Sequence, residues 1–475
     1  MVTEKEVSFK RLEERIYRIV CSAGCNLMRS MLEDLDARLM KDRNRSTHRH
    51  KGTRKTTIKT LMGEVEYERA VYEVKGDGVG QKYVYLLDKA LQKETIGLMS
   101  AALAEHVVLN CCEMPYRQAA EAVSAMTGQR ISHTAAWAVL QEVGNRAGQR
   151  EKEASHRAHV GEGRGEYESK LLFEEQDGVW LKMQGKDRKK HGASKEMKMM
   201  VAYDGAKKMG KKRYELQNKV AYCGFEKADK FFERKEGAIA DYYALDEIEQ
   251  RILNGDGASW IRRSTEGEGI HFQLDPYHRN KAILIKVWRP EARREIWKLL
   301  YEKKTAEMLE YIGILADSVT NADEQKDLRE LHQYLSNNAD GLVGYHRRGL
   351  KLPEPKAGMV YRRLGAMESN VFSLIGRRMK GRRAAWSIRG GGNLGRLLCL
   401  KTTKRLKSVL CSVMGCGLPE RYVEEITKPL KASQVEKSIG KGYDGFTKAM
   451  IPATTDFRWL KGMMVSNPFS ELTYR

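Results

Sequence analysis

The sequence predicts an α/β core that is broken by an all-α insertion and preceded by a region of helices and a β-hairpin. Three observations carry this reading. Strand-like runs follow one another between Leu171 and Tyr203 and then alternate with helical stretches as far as Leu274. From Arg289 to about Gly349 the apolar residues recur at helical spacing throughout. Ahead of residue 150, alternating segments around Met62-Gly63-Glu64 lie between amphipathic stretches.

Composition bounds the answer. An apolar fraction of 41% with only nine prolines suits a helix-rich folded protein, and 31% charged residues give it a large solvated surface. A chain of 475 residues is expected to form about two to four structural units. The 85 Lys and Arg exceed the 63 Asp and Glu, for a net charge of +22 and a pI near 9.5. Such a field attracts polyanions by releasing counterions from phosphates, or else belongs to a merely basic soluble protein. No apolar run approaches the roughly 18 residues that a membrane helix needs, so a cytoplasmic protein with no membrane partner is expected. The eight cysteines lack the short paired spacings of a zinc ribbon, and reduced structural thiols are expected.

Residues 1–56 hold an amphipathic helix or helix pair, with Leu12, Ile16, Ile19, Met28, Leu32, Leu35 and Leu39 at helical spacing, followed by a basic arm. From Lys41 to Lys59 there are eight Lys or Arg and one acid, read either as a flexible arm on phosphates or as a solvated linker. Residues 57–93 form a small β-hairpin unit, Thr57–Leu61 against Val65–Glu68, with a third strand around Tyr83 to Leu87. Residues 94–150 read as three helices. The last two, Tyr116–Met126 and Ser132–Glu142, have the spacing of a helix-turn-helix, with Ser132 as N-cap and His133, Thr134 and Trp137 presented to DNA. Any helical hairpin with a glycine turn gives the same pattern. The Gly-rich charged stretch from Glu151 to Glu168 reads as a linker.

Residues 165–288 hold the first part of the core. Leu171–Glu175, Val179–Met183 and Met197–Tyr203 are three strands in succession, a helix near Ala238 to Arg251 leads to the strand Ile252–Asn254, and Phe272–Leu274 follows. This order matches the ribonuclease H-like α/β fold. Residues 289–360 are the helical insertion, 361–395 the helix that closes the core, and 396–475 a basic C-terminal region that begins after a Gly-Gly-Gly turn.

Three acidic residues stand in short, turn-like contexts: Asp177 in Glu-Gln-Asp-Gly-Val-Trp, Asp256 in Asn-Gly-Asp-Gly-Ala, and Glu368 in Ala-Met-Glu-Ser-Asn. A single Asp-Gly pair marks a turn. Two such pairs after strands, with a late glutamate, read instead as hard ligands for two Mg2+ ions, with Mn2+ as a substitute, acting on a phosphodiester. Asp275-Pro276-Tyr277-His278 starts a helix by ordinary capping, or else brings His278 to the strand ends as a catalytic or phosphate-binding group. Arg377 to Lys407 carries eleven Lys or Arg and no acid. Arg377, Arg378, Lys380, Arg382 and Arg383 are expected on the reacting phosphate, with Trp386 stacking on an unpaired base. Lys186 to Arg213, with eleven basic and three acidic residues, flanks Asp177.

These residues resemble a known family. Gly-Glu-Val-Glu-Tyr-Glu-Arg, Tyr-Val-Tyr-Leu-Leu-Asp, Asp-Gly-Val-Trp, Asn-Gly-Asp-Gly-Ala-Ser-Trp-Ile, Phe-Gln-Leu-Asp-Pro-Tyr-His, Leu-Gly-Ala-Met-Glu-Ser-Asn and Arg-Met-Lys-Gly-Arg-Arg occur in that order over about residues 50 to 390. The chain resembles bacterial insertion-sequence transposases of the ISLre group, within the Mutator-like DDE transposases. The resemblance implies that Asp177, Asp256 and Glu368 are the catalytic triad and that Asp275 and His278 form an Asp-x-x-His signature. It implies a nucleoid-associated bacterial enzyme that binds the terminal inverted repeats of its element, cleaves them and joins the 3′ hydroxyl to target DNA as a homodimer or higher oligomer. A transposase-derived DNA-binding protein, or a metal-dependent nuclease without strand transfer, shares the same surface features.

Overall fold

The computed structural model describes residues 8–74, 82–91, 95–211, 213–265, 267–365, 367–381 and 383–414. It is a mixed α/β structure of two compact units, one drawn from residues up to Cys111 and from Pro115–Val139, the other from Cys112–Met114 and Leu140–Val413.

In the first unit, α1 (Phe9–Asp42) is a single 34-residue helix whose N-cap Ser8 accepts the Arg11 N–H. Its C-terminal half buries Leu32 and Leu35 against Ile58, Val65 and Tyr67. Those three residues come from β1 (His48–Lys59) and β2 (Glu64–Val74), an antiparallel hairpin. The expected basic arm is therefore a strand. Cross-strand acids absorb its charge: Lys51 pairs with Glu73 at 2.8 Å and Lys59 with Glu64 at 2.8 Å. Beyond β3 (Lys82–Val84) and α2 (Leu86–Ala90), β4 (Thr95–Ile96) and β5 (Met99–Ser100) complete a sheet of order β3-β2-β1-β5-β4. Three helices follow, α3 (Ala101–Glu113), α4 (Tyr116–Thr127) and α5 (His133–His159). Gly128 ends α4 in the left-handed conformation at φ 67°, and the Ser132 hydroxyl accepts the Ala135 N–H at 3.1 Å to start α5.

Half of the stretch expected as a linker, from Glu151 to His159, is the end of α5, where Glu151 is held by Arg396 at 2.6 Å and Ala154 and Ser155 are buried. The second sheet is built from β6 (Leu171–Lys182), β7 (Ser194–Tyr203), β10 (Val220–Gly224), β11 (Gln250–Gly255) and β12 (Ile270–Leu274), with order β10-β7-β6-β11-β12. A separate ribbon of β8 (Gly205–Lys208) and β9 (Tyr214–Gln217) lies between β7 and β10 in the chain. The first three strands of the main sheet are antiparallel neighbours, while β11 runs parallel to β6 and β12 parallel to β11. Where two strands were expected there is one, because β6 continues through Asp177 and Gly178 in unbroken register with β7.

The helices of this unit cover the sheet: α6 (Gly185–His191), α7 (Ala228–Ala240), α8 (Ser259–Arg262) and α9 (Pro276–Lys286). The helix before β11 lies earlier than its sequence pattern suggested, because Phe231, Lys235 and Ile239 form the buried stripe. The insertion is α10 (Pro290–Tyr301), α11 (Thr305–Ser318) and α12 (Ala322–Ser336), after which short 3-10 turns replace the expected continuing helix. It shares one hydrophobic core with the sheet, in which Met308, Ile312 and Leu331 join Leu253, Phe272 and Leu274. The chain returns through α13 (Met367–Val371), a π turn at Phe372–Gly376, α14 (Arg377–Met379), α15 (Ile388–Thr402) and α16 (Leu406–Met414).

The Gly-Gly-Gly expected as a turn lies inside α15. Small residues are needed there for contact: a Cβ on Gly391 would meet Phe225 at 3.2 Å, and one on Gly395 would meet the Cys223 sulfur at 2.7 Å. Ser387 caps this helix through the Gly390 N–H at 3.0 Å.

Candidate active site

Three neighbouring parallel strands set the site. Glu175 of β6 pairs in register with Asn254 of β11, which pairs with Gln273 of β12. Two residues beyond each member of that row come Asp177, within β6, and Asp256 and Asp275, just past the ends of β11 and β12. Because side chains alternate along β6, Asp177 points to the same face as Glu175. Glu174 and Gln176 face the other way, where Lys235 meets Glu174 at 2.6 Å.

Asp177 uses Oδ1 to accept its neighbouring Gly178 N–H at 2.7 Å, while Oδ2 lies 4.0 Å from His278 Nε2. Burial first, and then the charges of Asp256 and Asp275, push the Asp177 carboxyl up to about 6, against the opposing pull of His278 and the Gly178 N–H. A Cβ at Gly178 would lie 2.0 Å from Oε1 of Glu196, the far end of a flexible side chain that can shift. The second Asp-Gly pair is a true turn: Gly257 has φ +85°, and Asp256 Oδ1 accepts the Ala258 N–H at 2.9 Å. The insertion holds this turn, with the Tyr334 hydroxyl donating to the Asp256 carbonyl at 2.9 Å.

Asp275 caps α9 by accepting the N–H groups of Tyr277 and His278 at 2.9 and 3.1 Å. The capping role of this motif is therefore real, and it places His278 one turn inside beside Asp177. Glu368 lies on α13 and lines a small cleft together with Asp177, Asp275, His278 and Gly365. The structure thus brings Asp177, Glu368 and His278 to one cleft, with Asp256 on the adjoining strand end.

The donor chemistry suits hard divalent cations, since carboxylate oxygens dominate and repel one another without a counter-charge. Among the described residues, no three His, Cys, Asp or Glu side chains converge tightly enough to form a finished metal cage. Glu368 is exposed.

Other expected site residues are distributed unequally. Arg377, Lys380 and Arg383 are exposed shortly after α13, and Arg382 lies outside the described residues. Arg378 is half-buried, its guanidinium 5.6 Å from the centre of the Trp386 ring. Trp386 cannot stack on a base, because it is 6% exposed and its indole N–H is donated to the Met379 carbonyl at 2.9 Å. Its backbone bridges to β6 and α6, donating to Lys182 O and accepting from Gln184 N, each at 2.9 Å. Replacing Trp386 by Ala is expected to cost about 3–5 kcal/mol of stability, read from urea unfolding. A base-stacking role would instead leave stability unchanged and weaken DNA binding alone.

His133 and Thr134 are exposed at the start of α5 in the first unit, with Trp137 one turn on, while Ala136, Val139 and Leu140 face inward. Glu175, Asn254 and Gln273 escaped the sequence reading. Their signal was a polar residue two places before an aspartate, repeated in Glu-Gln-Asp, Asn-Gly-Asp and Gln-Leu-Asp.

The chain belongs to UPF0236, an uncharacterised protein family whose model matches residues 2–406. A UPF0236 protein of Caldanaerobacter subterraneus subsp. tengcongensis, whose name joins eleven loci, is 25% identical over 71% of this chain and 68% of its own length. Another from the same organism, whose name joins four loci, is 24% identical over 72% of this chain and 69% of its own. A third, named for its place in the vanSb 3′ region of Streptococcus gallolyticus, is 25% identical over 73% and 74%. Among the described residues no helix is long and apolar enough to cross a membrane.

Proposed function

We propose that this chain is a DNA transposase with a ribonuclease H-like core, using Asp177, Asp256 and Glu368 as its catalytic carboxylates. The observation that carries this reading is the placement of Asp177 within β6 beside Asp256 at the end of the adjacent parallel strand β11, with Glu368 returned after a helical insertion to the cleft that Asp177 lines. The strand order, three antiparallel strands followed by two parallel ones, is what the ribonuclease H-like reading requires. A relative's name that joins eleven loci supports this reading, since a sequence that copies itself would leave such repeats in a genome.

Asp177, Asp256 and Glu368 would hold two Mg2+ or Mn2+ ions, which supply charge stabilisation to the attacking and leaving oxygens of an in-line displacement. His278 would help to hold Asp177, since its Nε2 lies 4.0 Å from the carboxylate oxygen not used by Gly178. Exposed basic groups on α6 and around Arg377 to Arg383 would hold the DNA backbone and orient the scissile phosphate. Hydrolysis breaks the bond from phosphorus to the 3′ oxygen and frees a 3′ hydroxyl. That hydroxyl then attacks a target phosphodiester and displaces the target's own 3′ oxygen. Synapsis of two ends calls for at least two copies on DNA.

The test is incubation with Mn2+ or Mg2+, linear DNA carrying the flanks of the chain's own coding region, and a supercoiled plasmid. Plasmid joined to those ends is the expected product. Cutting without joining would reduce the protein to a nuclease, and binding without either would leave a DNA-binding protein.

A further inference from the structure

Beneath the aspartates lies a buried polar ladder that capping and metal chemistry do not explain. Glu175 is 1% exposed, Asn254 0% and Gln273 3%. Asn254 Nδ2 donates to Glu175 Oε2 at 3.2 Å and to Asp275 Oδ2 at 2.7 Å, and Gln273 Nε2 donates to Asn254 Oδ1 at 3.0 Å. The remaining Glu175 oxygen, Oε1, accepts the Tyr203 hydroxyl at 2.7 Å.

Glu175 also reaches outside the sheet. Its Oε2 accepts the backbone N–H of Gly365 at 3.0 Å, across 190 residues of chain. Gly365 has φ +123°, a backbone state suited to glycine, and it stands three residues before Glu368. One carboxylate oxygen therefore ties together the strand of Asp177, the strand of Asp256, and the segment that delivers Glu368. Through Asn254 and Asp275 the same ladder reaches the cap of the helix carrying His278.

We propose that Glu175 is a positioning residue whose acceptor oxygen docks the Gly365 segment and so sets Glu368 against Asp177 and Asp256. Its effect on cleavage rests on the transposase reading, but its effect on the docked segment does not. Glu368 lies in the first turn of a helical stretch that continues through the π turn to Met379, so the Gly365 N–H bond, with that of the Met367 N–H to the same carboxylate, fixes where the stretch begins. The role calls for an acceptor atom at the right reach and makes no use of the negative charge.

Three variants separate these requirements. Glu175→Met keeps length and removes the acceptor, Glu175→Asp keeps the charge but withdraws the oxygen, and Glu175→Gln keeps an acceptor that can face Asn254 and Gly365 while its amide meets the Tyr203 hydroxyl. Hydrogen exchange of the amides at Gly365 and Met367–Val371 is expected to lose protection in the Met and Asp variants and to stay near wild type in the Gln variant. Cleavage at saturating DNA should fall about 10- to 100-fold in the first two, with DNA affinity unchanged, and recover in Gln. Should Glu175→Met not fold, Glu175→Asp decides alone. Retained protection in the Asp variant, or equal loss in Gln and Asp, overturns the proposal. If the wild-type chain cuts no DNA, the transposase reading falls while the exchange measurement still decides the role of Glu175.

Discussion

Asp177→Asn is expected to abolish DNA cleavage, by on the order of 10⁴-fold or more, and at the same time to make the protein more stable at neutral pH. The two effects have one cause. Burial and the neighbouring charges of Asp256 and Asp275 raise the Asp177 carboxyl to about 6, so the folded chain holds a charge there at neutral pH under protest. In the unfolded chain the group titrates near the ordinary value of about 3.9. Between those two values the folded state binds more protons than the unfolded state, so stability falls as pH rises from about 4 to about 6 and stays lowered above that. A shift of about two units corresponds to roughly 3 kcal/mol, as an upper figure. Urea unfolding at about pH 7.5 should show the Asn variant ahead by about 1–3 kcal/mol, with the gap closing toward pH 4. Equal stabilities at both pH values would mean that the carboxylates do not crowd one another, and the case for a cation between them would lose its electrostatic support.

The second large effect is expected from the basic surface beside the cleft. Lys186, Lys189 and Lys190 are exposed on α6, and Arg377, Lys380 and Arg383 are exposed on the segment after Glu368. Trp386 and Asp187 stitch these stretches together: the Trp386 backbone bridges to both ends of the Lys182–Gln184 turn, and Asp187 accepts the Ile388 N–H at 2.7 Å. Changing all six to Gln keeps length and helix propensity while removing charge. The slope of log affinity against log salt should flatten by about 5, and affinity near physiological salt should drop by about 10³-fold. Fluorescence anisotropy across a salt series measures both. The subset Arg377, Lys380 and Arg383 should also slow cleavage at saturating DNA, because it follows directly on the segment bearing Glu368. An unchanged salt slope would place the DNA on another face of the molecule.

Much of this site was legible one residue at a time. Asp177, Asp256 and Glu368 could be picked out by their short, turn-like contexts, and His278 by the Asp-Pro-Tyr-His start of a helix. What misled was local context read without neighbours. Asp177-Gly178 looks like a turn and is a strand, because both residues pair with β7, Asp177 with Met199 and Gly178 with Lys198. Gly390-Gly391-Gly392 also looks like a turn, yet it lies in a helix that must approach Phe225 and Cys223 closely. Trp386 stands among arginines in sequence and is buried against Met379 in space.

By itself, the sequence determined the chemistry available: a strongly basic chain, hard carboxylates at the ends of strand-like runs, a capped helix starting at Asp275, and an insertion built on helical periodicity. Those properties are local, set by side-chain type and by spacing over a few residues. Tertiary structure alone decided which groups meet. The alignment of Glu175, Asn254 and Gln273 across three strands depends on register between segments about 80 and 20 residues apart, and the bond from Gly365 to Glu175 closes a loop of 190 residues. Pairing over such separations leaves no periodic mark in the chain, because register is fixed by the packing of whole strands and not by the residues that later use it.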